Sequence, residues 1–168
     1  EISTLQIIET ETGRKLPDTI ERTRAASIAW KPDSSGFYYT RYPRKGEVPA
    51  GQEVYYRRVF YHQLGADSAK DPLVFGDGRD PQESPSVSLS PDGRWLLVTA
   101  SKGWAKSELH LKDLRNNSPF VSVVAGKDFL YFGEVFRDEI YIVTNEGAPR
   151  YRVFKVAAAN PARERWKE

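Results

Sequence analysis

The two side chains most often recruited as bases, metal ligands or activated nucleophiles near neutral pH, histidine and cysteine, are scarce or absent in this chain. There are two histidines, His62 and His110, and no cysteine. Without Cys there is no disulfide, no thiolate metal site, no dithiol redox motif and no cysteine nucleophile. His62 lies in Tyr61-His62-Gln63 where a strand-like run ends, so packing or a surface hydrogen bond is its expected role. His110 alternates with Leu109 and Leu111, which on a strand sends it to the opposite face. Neither stands at a recognised ligand spacing from a second His or a carboxylate, so no metal and no cofactor are expected.

Two further runs imitate functional patterns. The acidic, glycine-rich Gly76-Asp77-Gly78-Arg79-Asp80 suggests a calcium loop, but the D-x-[DN]-x-[DN]-G spacing and the distal Glu are missing, which favours a turn. Tyr55-Tyr56-Arg57-Arg58 pairs aromatics with cations as nucleic-acid platforms do. On a strand, Tyr55 and Arg57 would share one face and Tyr56 and Arg58 the other, so a packed strand with snorkelling arginines is the expectation.

Charge supports that plainer view. The 168 residues are 39% hydrophobic and 29% charged, with 25 Lys and Arg against 23 Asp and Glu, a formal net charge of +2. The two signs are interspersed rather than striped, so neither nucleic acid nor an anionic membrane is an expected partner. No apolar run is long enough to span a bilayer, and Glu1 to Glu11 lack the basic start and apolar block of a signal peptide. A soluble chain is expected, with the compartment open between cytoplasm and periplasm.

The elements that must position any site are short runs rich in β-branched and aromatic residues, punctuated by Pro, Asp, Asn and Gly. Candidate strands are Ser3–Glu9, Ser27–Trp30, Gly36–Tyr42, Glu53–Tyr61, Pro72–Phe75, Ser86–Leu89, Arg94–Ala100, Glu108–Lys112, Phe120–Val124, Phe129–Glu134, Glu139–Thr144 and Tyr151–Val156. Helical periodicity is nearly absent, so the fold class is all-β and antiparallel.

An internal repeat sharpens this. Ser27-Ile28-Ala29-Trp30-Lys31-Pro32-Asp33-Ser34-Ser35-Gly36-Phe37-Tyr38-Tyr39 recurs from Ser86 as Ser-Val-Ser-Leu-Ser-Pro-Asp-Gly-Arg-Trp-Leu-Leu. Both copies read as strand, tight Pro-Asp turn, strand. A degenerate third copy puts Phe136-Arg137-Asp138 at the turn. Units of about four strands are the blades of a β-propeller. The expectation is an incomplete propeller: the end of one blade over 1–22, blades over 23–78 and 79–126, and an incomplete fourth over 127–168. Ser3, Leu5 and Ile7 follow the pattern of Ser107, Leu109 and Leu111, which makes the first strand the third of its blade. About two full blades plus parts of two others would leave apolar faces and strand edges bare, so self-association through the exposed edges is an expectation.

The ordered series of motifs carries a resemblance. Ala29-Trp30 with Pro32 to Tyr39, then Tyr61-His62-Gln63-Leu64-Gly65, then Leu89-Ser90-Pro91-Asp92-Gly93-Arg94, and finally Val143-Thr144-Asn145-Glu146-Gly147-Ala148-Pro149-Arg150 resemble the central part of the propeller domain of the prolyl oligopeptidase (prolyl endopeptidase) family. The resemblance implies a lid over an α/β-hydrolase catalytic domain of the same parent chain, a serine peptidase that cleaves short peptides after proline. Its nucleophile would sit on a G-x-S-x-G elbow with Asp and His. No such elbow occurs in these 168 residues, so no catalytic residue is expected and the chain alone should be inactive.

The same resemblance implies propeller side chains that line the pocket upstream of the proline, at Ala25, Ser84 and Trp104. Ala25 and Ser84 are smaller than the apolar groups expected there, which implies a roomier or altered pocket. Trp104 offers an indole to stack on a peptide, with packing against an adjacent blade as the alternative. The basic group expected just before Gly103 is absent at Ser101, and Lys102 is the substitute. Arg150 is a candidate for the domain interface or for a salt bridge between blades. A reading of another class stays open: a non-catalytic propeller-like scaffold that binds a protein or peptide partner.

Overall fold

The computed structural model describes residues 3–116 and 118–168. Every regular element longer than one turn is a strand, and no helix among the described residues is long and apolar enough to cross a membrane. The chain divides into two compact units, Glu1–Glu83 and Ser84–Glu168.

In the first unit β1 (Thr4–Ile8) and β2 (Lys15–Glu21) form an antiparallel hairpin. A four-stranded antiparallel meander follows: β3 (Ile28–Trp30), β4 (Gly36–Arg41), β5 (Arg58–Gln63) and β6 (Leu73–Phe75). Ile7 and Ile20 of the hairpin join Phe37, Tyr39 and Phe60 of the sheet in one buried cluster, so alternate residues of the hairpin seal one face of the sheet.

The second unit repeats the plan. β7 (Glu83–Leu89), β8 (Trp95–Lys102), β9 (Lys106–Asp113) and β10 (Val121–Val124) form a four-stranded meander that opens at the boundary. β11 (Tyr131–Phe136), β12 (Glu139–Thr144) and β13 (Arg152–Ala157) form a three-stranded sheet. Leu97, Leu109 and Leu111 of the first sheet meet Tyr131, Ile140, Ile142 and Phe154 of the second in a common core. Beyond β13 an isolated antiparallel bridge joins Lys155 to Lys167, the position a fourth strand would occupy.

The repeated motif gives repeated geometry. Asp33 Oδ1 accepts the Ser35 N–H at 3.0 Å, and Asp92 Oδ1 accepts the Arg94 N–H at 3.2 Å. Ser34 has φ +56°, where the second copy supplies Gly93 at +72°. The degenerate third turn is built differently. Phe136 pairs with Glu139 across a two-residue loop in which Arg137 and Asp138 have φ +48° and +60°, the pattern of a type I′ hairpin.

Two strand expectations need correction. Lys15–Glu21 is a strand although Pro17 and Asp18 read as breakers. It is an outer strand whose register to β1 shifts between Gln6 and Ile8, where a residue without an N–H is tolerated. Conversely, Glu53–Arg57 is not strand: β5 begins only at Arg58. Tyr55 N–H closes a turn on the Gln52 carbonyl, and Tyr56 has φ +58° and donates its N–H to Pro81 at 2.7 Å. The alternating faces expected for Tyr55 to Arg58 therefore do not exist.

Candidate functional site

Antiparallel pairing fixes where each candidate lies. In the first sheet the register Ile28 to Tyr39 and Arg41 to Arg58 puts the start of β3, the end of β4 and the start of β5 at one end. Ala25 stands there, exposed, with φ +49°. In the sheet of the second unit, Ser84 near the start of β7, Lys102 at the end of β8 and Trp104 in the β8–β9 turn share the corresponding end. Arg150 lies in the turn between β12 and β13, at the corresponding end of the next sheet, and is exposed.

Trp104 is the tip of a three-residue turn that Gly103, at φ +62°, makes tight, and its side chain is 98% exposed. Among the described residues this indole makes almost no packing contact. Behind the turn, the Ser107 hydroxyl donates to the Tyr131 carbonyl at 2.7 Å and accepts the Tyr131 N–H at 2.8 Å, which ties β9 to β11 at this end. Beside Arg150, Asn145 Oδ1 accepts the Leu130 N–H at 2.8 Å, and Arg163 pairs with Glu146 at 2.5 Å. Burial, with the Glu146 carboxylate adding to it, pushes the Tyr131 phenol up to about 12.

Around Ala25 the structure shows more than the sequence suggested. Arg57 Nε and Nη2 donate to Thr40 Oγ1 at 3.1 and 2.8 Å, and Nη2 also reaches the Ala25 carbonyl. Thr40, fully buried, accepts the Ser27 N–H at 2.9 Å. The guanidinium lies 5.7 Å from the Tyr42 ring centroid; burial lowers its pKa and Tyr42 opposes the shift. Next to this, Arg22, itself at φ +66°, donates to the Pro43 and Glu53 carbonyls at 2.9 and 2.6 Å. Arg22, Arg24, Tyr42, Glu53 and Val54 line a cavity of about 300 Å³.

Of the two roles expected for His62, the surface hydrogen bond is not found: the side chain is packed inside, against Phe37, and centres a buried polar network. Its Nε2 lies 3.0 Å from Asp18 Oδ1, its Nδ1 is 3.0 Å from Asp71, and its side chain is fully buried. The Tyr39 hydroxyl donates to Asp71 at 2.8 Å. Both ring nitrogens thus face carboxylate oxygens. Desolvation raises the Asp18 pKa, but the Gly65 N–H at 2.5 Å and His62 outweigh it and hold the carboxyl below the usual range. The network joins β2, β4 and β5 through residues that sequence spacing could not connect. His110 does lie opposite Leu109 and Leu111, and its Nε2 is 3.1 Å from Glu108. Gly76 to Asp80 forms the connection from β6 to β7, where Arg79 pairs with Glu83 at 2.6 Å.

At the opposite end of the second unit's sheets, Arg94 pairs with Asp113 at 2.9 Å and with Asp138 at 3.1 Å, and Trp95 Nε1 donates to Asp138 at 2.7 Å. These contacts join the β7–β8 turn to the β11–β12 turn.

Residues 1–168 match the family described as prolyl oligopeptidase, N-terminal β-propeller domain. The chain is 30% identical over 165 residues to a prolyl endopeptidase of Elizabethkingia meningoseptica, covering 96% of this chain and 23% of that protein. It is 31% identical over 160 residues to prolyl oligopeptidase ophP of Omphalotus olearius, covering 88% and 21%. A solved structure from a study of two prolyl endopeptidases superposes with a TM-score of 0.89 at 35% identity, over 98% of this chain and 24% of the other. Prolyl oligopeptidase B from Galerina marginata, bound to a 35mer hydrolysis and macrocyclization substrate, shares the fold with a TM-score of 0.80 at 22% identity. The chain thus spans about a quarter of the relatives it matches.

Proposed function

Because the chain belongs to the prolyl oligopeptidase N-terminal β-propeller family, we propose that it serves as propeller blades of a serine peptidase that cleaves short peptides after proline. The observation that carries this reading is the family match over all 168 residues. The catalytic Ser, Asp and His belong to an α/β-hydrolase domain of the same protein, since these residues contain no G-x-S-x-G elbow. The blades limit access and contribute upstream contacts to a proline-containing oligopeptide. Trp104 supplies a stacking surface, supported by its exposure at a strand end, with Lys102 as the adjacent cation and Ser84 and Ala25 as small neighbours that leave room. Arg150 faces the hydrolase domain. The blades divide near 22, 78 and 126.

In the full-length protein a serine-directed inhibitor should abolish hydrolysis of a prolyl reporter peptide. Trp104→Ala should raise KM for a reporter with several residues upstream of proline by roughly tenfold, about 1.4 kcal/mol of lost stacking. Hydrolysis that resists the inhibitor, or that ignores proline, would defeat the assignment. An unchanged KM would remove Trp104 from the site.

A further inference from the structure

One guanidinium braces three strands where they meet the proposed upstream pocket. Arg57, just before β5, reaches across the end of β4 to Thr40 Oγ1 with two N–H groups and to the Ala25 carbonyl just before β3. Ala25 is a non-glycine residue at φ +49°, a conformation its own Cβ disfavours, so something outside the residue must hold it. The local backbone supplies one tie, the Ala26 N–H on the Thr23 carbonyl at 3.1 Å. Ser27 supplies another by donating its N–H to Thr40 Oγ1 at 2.9 Å, and Arg57 clamps the same oxygen. Thr40 is therefore a shared anchor, and Arg57 connects it to the carbonyl of the residue in question.

We infer that Arg57 is a positioning residue for peptide recognition: by holding the Ala25 carbonyl against Thr40 it sets the shape of the pocket upstream of the cleaved proline, and so the selectivity for longer peptides. This rests on the reading that Ala25 faces substrate. A guanidinium suits the role because its planar fork can serve Thr40 and Ala25 at once, while an ammonium on a flexible stem cannot hold both in one plane. Arg57 acts through Ala25 and touches no reacting atom.

The test uses the full-length protein and two prolyl reporters, one with three residues upstream of proline and one with a blocking group only. Arg57→Gln should raise KM for the longer reporter by on the order of tenfold, with its kcat and both constants of the short reporter within about twofold. Arg57→Lys should recover little of that loss. Thr40→Val should give a similar change that does not add to that of Arg57→Gln. Equal losses on both reporters, or no loss on either, would overturn the inference. Ala25→Leu separates the two claims. If it changes the ratio of long to short KM and Arg57→Gln does not, the positioning role fails while the pocket stands. If it leaves the ratio unchanged, the pocket reading fails and the inference with it. Should Arg57→Gln fail to fold, Arg57→Lys and Thr40→Val give the same comparison.

Discussion

His62 shows how one side chain can hold elements together that the chain order keeps apart. A fully buried imidazole between two carboxylates has its charges and hydrogen bonds compensated only while all partners stay in place. His62→Leu would leave Asp18 and Asp71 buried against an apolar side chain, and should cost about 3–5 kcal/mol. The denaturant midpoint of the full-length protein measures this, and a change below about 1 kcal/mol would show that the network adds little. Gly36 belongs to the same neighbourhood. A Cβ there would lie 2.3 Å from the His62 carbonyl oxygen, so β4 and β5 can approach as they do only with glycine at that point.

At the scale of elements, the turns of the second unit are joined by charge. Hydrogen bonds from Arg94 hold the Asp113 carboxyl below its usual range, opposed by some desolvation. Asp92 is lowered chiefly by the Ser90 hydroxyl at 2.6 Å, again against desolvation. A carboxylate whose folded pKa is depressed stabilises fully above its unfolded value, near 3.9 for Asp, and that stabilisation is lost as pH falls through the lower folded value. The urea midpoint should thus be flat from pH 7 to about 5 and fall below about pH 4, with a shallower fall in Asp113→Asn. A midpoint that stays level down to pH 3 would contradict these pairings. The sheets also differ in how strands are joined: three residues connect β8 to β9, whereas residues 42–57 connect β4 to β5, supply the partners of Arg22 and carry Arg57 to Thr40.

For the whole molecule, the outward face of the last sheet is informative. Phe132, Val143 and Val153 form one cross-strand row and are 46%, 37% and 52% exposed. Phe136 and Tyr141 widen the patch. A blade of a propeller covers such a face with its neighbour, so the 168-residue chain prepared by itself should self-associate. Sedimentation should report species larger than a monomer, and Val143→Lys with Val153→Lys should shift them towards monomer. A monodisperse monomer at tens of micromolar would rule this face out as sticky. The same preparation should not hydrolyse a prolyl reporter, and activity that survives a serine-directed inhibitor would contradict the proposed division of labour.

Much of the fold was legible along the chain because short-range rules dictate it. Alternation in Leu109-His110-Leu111 sets which side faces the core, and Pro-Asp turns with Asp33 and Asp92 bonding two residues on mark where strands reverse. Motif order alone pointed to the family. Lys15–Glu21 was missed because its strand character comes from pairing with β1 and burial of Ile20, which override Pro17 and Asp18. Glu53–Arg57 misled because aromatic and basic residues suit a strand, while the segment is held by turns and a contact with Pro81. The clusters of His62 with Asp18 and Asp71, and of Arg57 with Ala25 and Thr40, join residues distant in sequence. Local preference acts over a few residues, whereas a buried charge or a bent carbonyl finds its partner only once strands are laid side by side. Alternation and turn residues thus set most strands and the family, while pairing partners fixed β2, the start of β5 and the polar side chains that hold the sheets together.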